Sequence, residues 1–168
     1  MSILDEIQTG MNPGPIKMNR AGTDGIGKTT FAAGAPNPIF VKTEEGTRYV
    51  NTSSFPLCES YEDLMKRLKQ LVQEEHHFKT VIIDTTDWAE KLIQEEVCRQ
   101  KNVASIEDIG FGKGYTMVAE GFQKIFRALD ILNDKKNMNV ILLSHVAIRT
   151  FADPEREPYD RWELNLHK

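Results

Sequence analysis

The chain has 168 residues, 40% of them hydrophobic, and a formal net charge of −4 at pH 7. That length supports one domain with its own core, and no apolar segment approaches the length of a membrane span. The acidic balance excludes a constitutively basic nucleic-acid binder, while leaving room for a local basic patch.

Met1-Ser2-Ile3-Leu4-Asp5-Glu6 lacks the basic start and apolar stretch of a signal peptide, which predicts a cytoplasmic protein. Residues 1–15 contain Gly10, Pro13, Gly14 and Pro15 and read as a lead-in with at most one short helix. Residues 16–168 read as the domain. Ile16-Lys17-Met18-Asn19-Arg20-Ala21 follows. Its Lys17, Asn19 and Arg20 suit a sheet edge or a loop better than a sheet centre.

Next comes Gly22-Thr23-Asp24-Gly25-Ile26-Gly27-Lys28-Thr29-Thr30, which matches the phosphate-binding pattern G-x-x-x-x-G-K-[ST]. Gly22, Gly25 and Gly27 permit backbone conformations that a Cβ forbids, so successive N–H groups can turn around phosphate oxygens. Lys28 supplies a mobile charge for the β- and γ-phosphates of ATP, and the Thr29 hydroxyl can ligate Mg²⁺. A helix from Lys28 to Gly34 should point its positive end at the same phosphates. It stops at Ala35-Pro36, since a residue before proline avoids the α region. The competing reading is a glycine-rich turn with no nucleotide.

Pro38–Lys42 reads as a strand. Glu44 and Glu45 follow it, and a carboxylate there can orient a water for attack on a phosphate or be a solvated loop acid. A loop rich in Thr, Ser and Pro leads to Ser60-Tyr61-Glu62-Asp63, a capping-box-like helix start. Leu64, Leu68, Leu71 and Val72 make the apolar stripe of that helix. His76-His77 lacks a third metal ligand and reads as a helix end. Lys79–Asp84 is the clearest strand, with Val81-Ile82-Ile83 ending in Asp84. Any aspartate can end a strand; downstream of a P-loop the pattern is that of a Walker B carboxylate, which holds Mg²⁺ beside Thr29.

Trp88, Leu92, Ile93 and Val97 predict another helix. Gly110, Gly112 and Gly114 predict a loop, and Val118, Phe122, Ile125, Leu129 and Leu132 a long helix. Asn139–Ser144 reads as a buried strand ending at Ser144-His145, where His145 either senses a γ-phosphate or is a structural group. The tail reads as a hairpin: Ile148–Phe151, a turn at Asp153-Pro154, then Trp162–Leu166. Arg149, Phe151, Arg161, Trp162 and Lys168 interleave cations and aromatics, as in grooves that hold single-stranded nucleic acid, or as in a hairpin whose aromatics pack while its charges stay wet. Cys58 and Cys98 form no C-x-x-C pair and read as reduced structural thiols. Strands alternating with helices predict an α/β three-layer sandwich around a mostly parallel sheet.

The ordered set resembles the RecA-like ATPases of phages and prophages, grouped with single-strand annealing and recombination proteins. The similarity runs from Gly22 to Lys168. It is carried by Gly25–Ala33, Ala35–Pro38, Ile82-Ile83-Asp84-Thr85 with Asp87-Trp88, Gly110–Tyr115, Ser144-His145 and Tyr159–Leu164. The resemblance implies a RecA-like core with one strand between the P-loop strand and the Walker B strand. It implies Glu44 as the water-activating residue, His145 as γ-phosphate sensor, single-stranded DNA near the tail and a homo-oligomeric ring or filament. The chain departs from the pattern at Lys17–Arg20, where the family has an apolar strand, and at Lys42, where it has an aspartate. It is also short at the C-terminus relative to that family, which would leave the P-loop strand at a sheet edge, with its polar residues protecting that edge. Two other readings fit the residues: a small P-loop kinase whose Arg149, Arg156 and Arg161 belong to a lid, and a degenerate nucleotide-binding module that does not hydrolyse.

Overall fold

Apolar runs in the strands alternate between two covered faces, and this sets the layers. A computed structural model describes residues 7, 9–10, 13–47 and 49–167. Its elements are β1 (Lys17–Gly22), α1 (Lys28–Ala33), β2 (Pro38–Lys42), β3 (Ser53–Ser54), α2 (Tyr61–Gln73), β4 (Thr80–Asp84), α3 (Thr86–Lys101), a 3₁₀ turn (Ile106–Asp108), α4 (Lys113–Lys136), β5 (Asn139–Phe151) and β6 (Tyr159–Leu164). Ile39, Val41, Val81, Ile83 and Val140 face a core built with α2, α3 and α4. Phe40, Ile82, Ile141 and Leu143 face the opposite way, toward Ala32 of α1. Successive strand residues point to opposite faces, so strands covered on both sides read as unbroken apolar runs. The result is the expected α/β sandwich with a parallel sheet between helical layers.

The strand order is β1-β5-β4-β2-β3, with β6 paired to β5. All pairs are parallel except β5–β6. One strand, β5, therefore lies between β1 and β4. Among the described residues β1 pairs with β5 alone and forms a sheet edge. Its polar side chains have partners: Lys17 Nζ donates to Asp130 Oδ1 at 2.7 Å, and the Arg20 guanidinium lies 5.3 Å from the Phe31 ring centre.

Helix α2 starts where predicted. The Asp63 N–H donates to Ser60 Oγ at 3.1 Å, while the Asp63 carboxylate reaches back to the Glu59 N–H at 3.3 Å, one residue beyond a standard box. Two expectations need correction. Ser144-His145 does not end a strand, because β5 runs on to Phe151 without a break; parallel pairing stops at His145 and antiparallel pairing with β6 starts at Val146. The glycine loop is shorter than predicted. Gly112 opens α4, and Gly114 sits inside the helix, buried so tightly against the Ile106 carbonyl that a Cβ would overlap it. The helix expected from Trp88, Leu92, Ile93 and Val97 is α3, in which Trp88 is 39% exposed with Lys91 Nζ 3.5 Å from its ring centre. The lead-in falls largely outside the described residues. No helix among the described residues is long and apolar enough to cross a membrane.

Candidate functional site

Because β1, β5, β4 and β2 are parallel, their carboxyl ends share one edge of the sheet, where ligands of open α/β sheets bind. The register brings Gly22 beside His145, Asp84 beside Leu143, and Lys42 beside Asp84. The P-loop, His145, Asp84 and Glu44 thus converge although they are distant in sequence. They line a cleft of about 390 Å³ that also includes Gly25, Gly27, Thr29 and Thr30. A roomier cleft of about 470 Å³ against Val118, Phe122, Phe126 and Leu142 has no lysine or arginine in its lining, so it offers a phosphate no permanent cation.

Within the P-loop, Gly25 and Gly27 have φ of 72° and 92°, the left-handed region that a Cβ disfavours. Gly22 differs from expectation: its φ is not positive, and a Cβ there would come within 2.8 Å of Ile26 Cγ2. Lys28 is buried, and its Nζ donates to the Gly22 and Thr23 carbonyls at 3.1 and 2.9 Å. An ammonium has three donors, so one remains for a ligand. The Thr29 hydroxyl donates to Asp84 Oδ2 at 2.9 Å. The side chains of Thr23, Asp24 and Ile26 stay at the surface.

The segment after β2 is tied to the end of β4. The Thr43 and Glu44 N–H groups donate to the Asp84 carbonyl at 2.8 and 3.3 Å, and the Thr43 hydroxyl donates to the Thr85 carbonyl at 2.6 Å. These bonds carry Glu44 toward the P-loop, and its Oε1 lies 3.6 Å from His145 Nε2. The loop passes close to the cleft at Gly46, where a Cβ would stand at ordinary contact distance, 3.5 Å, from Asp84 Oδ2. Burial raises the Asp84 carboxyl above its ordinary range, against the lowering pull of Thr29 and Lys28. Burial raises Glu44 as well, partly offset by His145.

Asp87 is the residue the sequence reading missed. It lies in the first turn of α3 and is 5% exposed. Its Oδ1 accepts the His145 backbone N–H at 3.0 Å, and its Oδ2 faces His145 Nδ1 at 2.8 Å. Burial pushes its carboxyl up, but the His145 hydrogen bonds outweigh that and hold it below the ordinary value. The other ring nitrogen, Nε2, meets Asp24 Oδ1 at 2.6 Å. Beside it, Ser144 Oγ donates to Asn19 Oδ1 at 3.0 Å and meets Thr86 Oγ1 at 2.6 Å, so the exposed Asn19 of β1 caps a pair of buried hydroxyls.

The tail residues do not form one surface. Along paired strands Arg149, Phe151 and Arg161 share a face, while Trp162 stands opposite Ile148 on the other. Arg149 donates to the Leu166 carbonyl at 3.1 Å. Arg161 lies 4.0 Å from the Phe151 ring centre and donates to Glu163 at 2.6 Å. Lys168 lies outside the described residues.

A family model described as an AAA domain matches residues 15–168. No curated protein matches the chain. The chain belongs to this AAA-domain family, whose members are P-loop ATPases that generally bind ATP with Mg²⁺.

Proposed function

We propose that this AAA-domain chain binds ATP with Mg²⁺ at the P-loop edge, hydrolyses it, and couples turnover to phage-type DNA recombination or single-strand annealing in the cytoplasm. One observation carries the catalytic part: Thr29 Oγ1 and the buried Asp84 carboxylate are 2.9 Å apart beside the Lys28 ammonium. A hydroxyl and a carboxylate are hard oxygen donors, the set Mg²⁺ takes when phosphates and water complete its shell. When bound, that cation supplies charge neutralisation on the β- and γ-phosphates.

The remaining work falls to side chains. The Gly22–Thr30 backbone and Lys28 hold the phosphates. Glu44 orients a water and accepts its proton as the water attacks the γ-phosphorus and the bond to the ADP oxygen breaks; its burial-raised carboxyl makes it the stronger base. His145, beside Glu44 and the P-loop, responds to the terminal phosphate. The DNA part rests on the resemblance of Tyr159–Leu164 to the recombination family and on the exposure of Tyr159 and Trp162, 47% and 59%, on opposite faces of the hairpin, either of whose rings can stack a base. A ring or filament of like subunits completes this reading.

ATP turnover and nucleotide binding, measured with and without single-stranded DNA, test it. Lys28→Ala should abolish nucleotide binding. Glu44→Gln should bind as wild type while turnover falls by about 10²- to 10⁴-fold; equal turnover removes Glu44 from that role. Single-stranded DNA should accelerate wild-type turnover, and a flat response removes the recombination part alone.

A further inference from the structure

Asp24 is an unexpected side chain in a loop built to receive phosphate. It carries the ligand's own sign of charge, and its carboxylate, like a phosphate oxygen, can only accept hydrogen bonds. The two therefore compete for the same donors. Asp24 is 91% exposed, yet its Oδ1 sits 2.6 Å from His145 Nε2. Among the described residues no other hydrogen bond or ion pair holds it there, so exchanging it for another anion disturbs no packing.

Asp87 is built in the opposite way. It is buried and grips His145 at two points, the backbone N–H and Nδ1. A carboxylate facing Nδ1 fixes a proton on that nitrogen, so Nε2 donates to an anion only in the doubly protonated ring, and the second bond fixes the main chain that carries the ring. The Nε2 edge is thereby left facing the cleft, where Asp24 and, at 3.6 Å, Glu44 meet it.

We infer that Asp24 occupies, on the Nε2 edge of His145, the place taken by a terminal phosphate, and that Asp24 as competitor and Asp87 as positioning residue set the preference for nucleoside triphosphate over diphosphate. The inference rests on the nucleotide-binding reading above and adds the basis of its selectivity. Entry of a γ-phosphate displaces Asp24 from the ring. A diphosphate leaves the Asp24–His145 contact in place.

Calorimetric titration with Mg²⁺ and either ADP or the β,γ-imido analogue of ATP tests this. In Asp24→Asn the analogue should bind about three- to tenfold tighter, while ADP stays within about twofold of wild type. In a His145→Ala background, Asp24→Asn should no longer change analogue affinity. Asp87→Asn, which retains one acceptor oxygen and loses the other, should reduce the triphosphate preference with ADP affinity kept. Nitrogen-15 shifts of the His145 ring should change in the nucleotide-free Asp87→Asn protein. Equal tightening toward ADP and the analogue would make Asp24 a general repulsive charge and overturn the inference alone. So would a selectivity and a ring signal that Asp87→Asn leaves untouched. Failure of the wild type to bind either nucleotide would overturn the nucleotide reading and this one with it.

Discussion

Asp84 and Asp87 lie on the same short stretch of chain, and their surroundings drive them in opposite directions. Asp84 is held above its ordinary value of 3.8 by burial. Folding therefore takes up a proton there, the native state binds more protons than the unfolded one, and stability falls as pH rises from about 3.8 through the native value. Asp87 is held below 3.8 by His145, so its contribution is present above that value and fades as pH falls through the lowered one. Asp84→Asn should then melt higher than wild type at pH 7 in EDTA, with the difference closing toward pH 4. Adding Mg²⁺ and nucleotide should raise the wild-type melting temperature and leave the variant behind. A variant that melts lower at pH 7 without metal would contradict the burial argument. Asp84 was legible because it closes an apolar run. Asp87 was not: in sequence it looks like an ordinary first-turn helix acid, and its partner is 58 positions away.

At the level of elements, the apolar runs were informative wherever both faces are covered. β2 was predicted from Pro38 to Lys42 and has those ends, and the stripe Leu64, Leu68, Leu71 is buried on α2. β5 misled because its apolar run stops at Leu143 while hydrogen bonding continues: the neighbours change from β1 and β4 to β6, and the side-chain pattern changes with them. Glycine was ambiguous in the same way. Gly114 reads as part of a loop, yet it lies in α4, as Gly121 does, and at both another element approaches closely. At Gly121 a Cβ would overlap Ile93 Cγ2, and Ile93 is a 1%-exposed core residue of α3. A β-branched side chain cannot swing that methyl aside without leaving its rotamer. Gly121→Ala gains about 1 kcal/mol in helix propensity, but overpacking should outweigh it and leave the protein about 1–3 kcal/mol less stable. Urea unfolding measures this, and a midpoint above wild type would show that the α3–α4 contact has slack.

On the scale of the molecule, the two faces of the sheet are unequally covered, by α1 on one side and by α2, α3 and α4 on the other. The P-loop strand lies at the margin of this arrangement. An edge strand presents free N–H and C=O groups to any other chain, and charged side chains are a common defence. Lys17 and Arg20 fit that role better than a stabilising one. The Lys17–Asp130 pair is 44% and 54% exposed, so solvent screens it and it adds little to stability. Replacing both residues by valine should therefore change the unfolding midpoint little, since valine favours strands. It should instead raise light scattering with protein concentration, because β1 becomes an uncharged template for strand pairing. Scattering that stays at the wild-type level over the same concentrations would show that these polar residues do not guard the edge, and that Asn19, through its bond to Ser144, is the one polar position in β1 with a structural task.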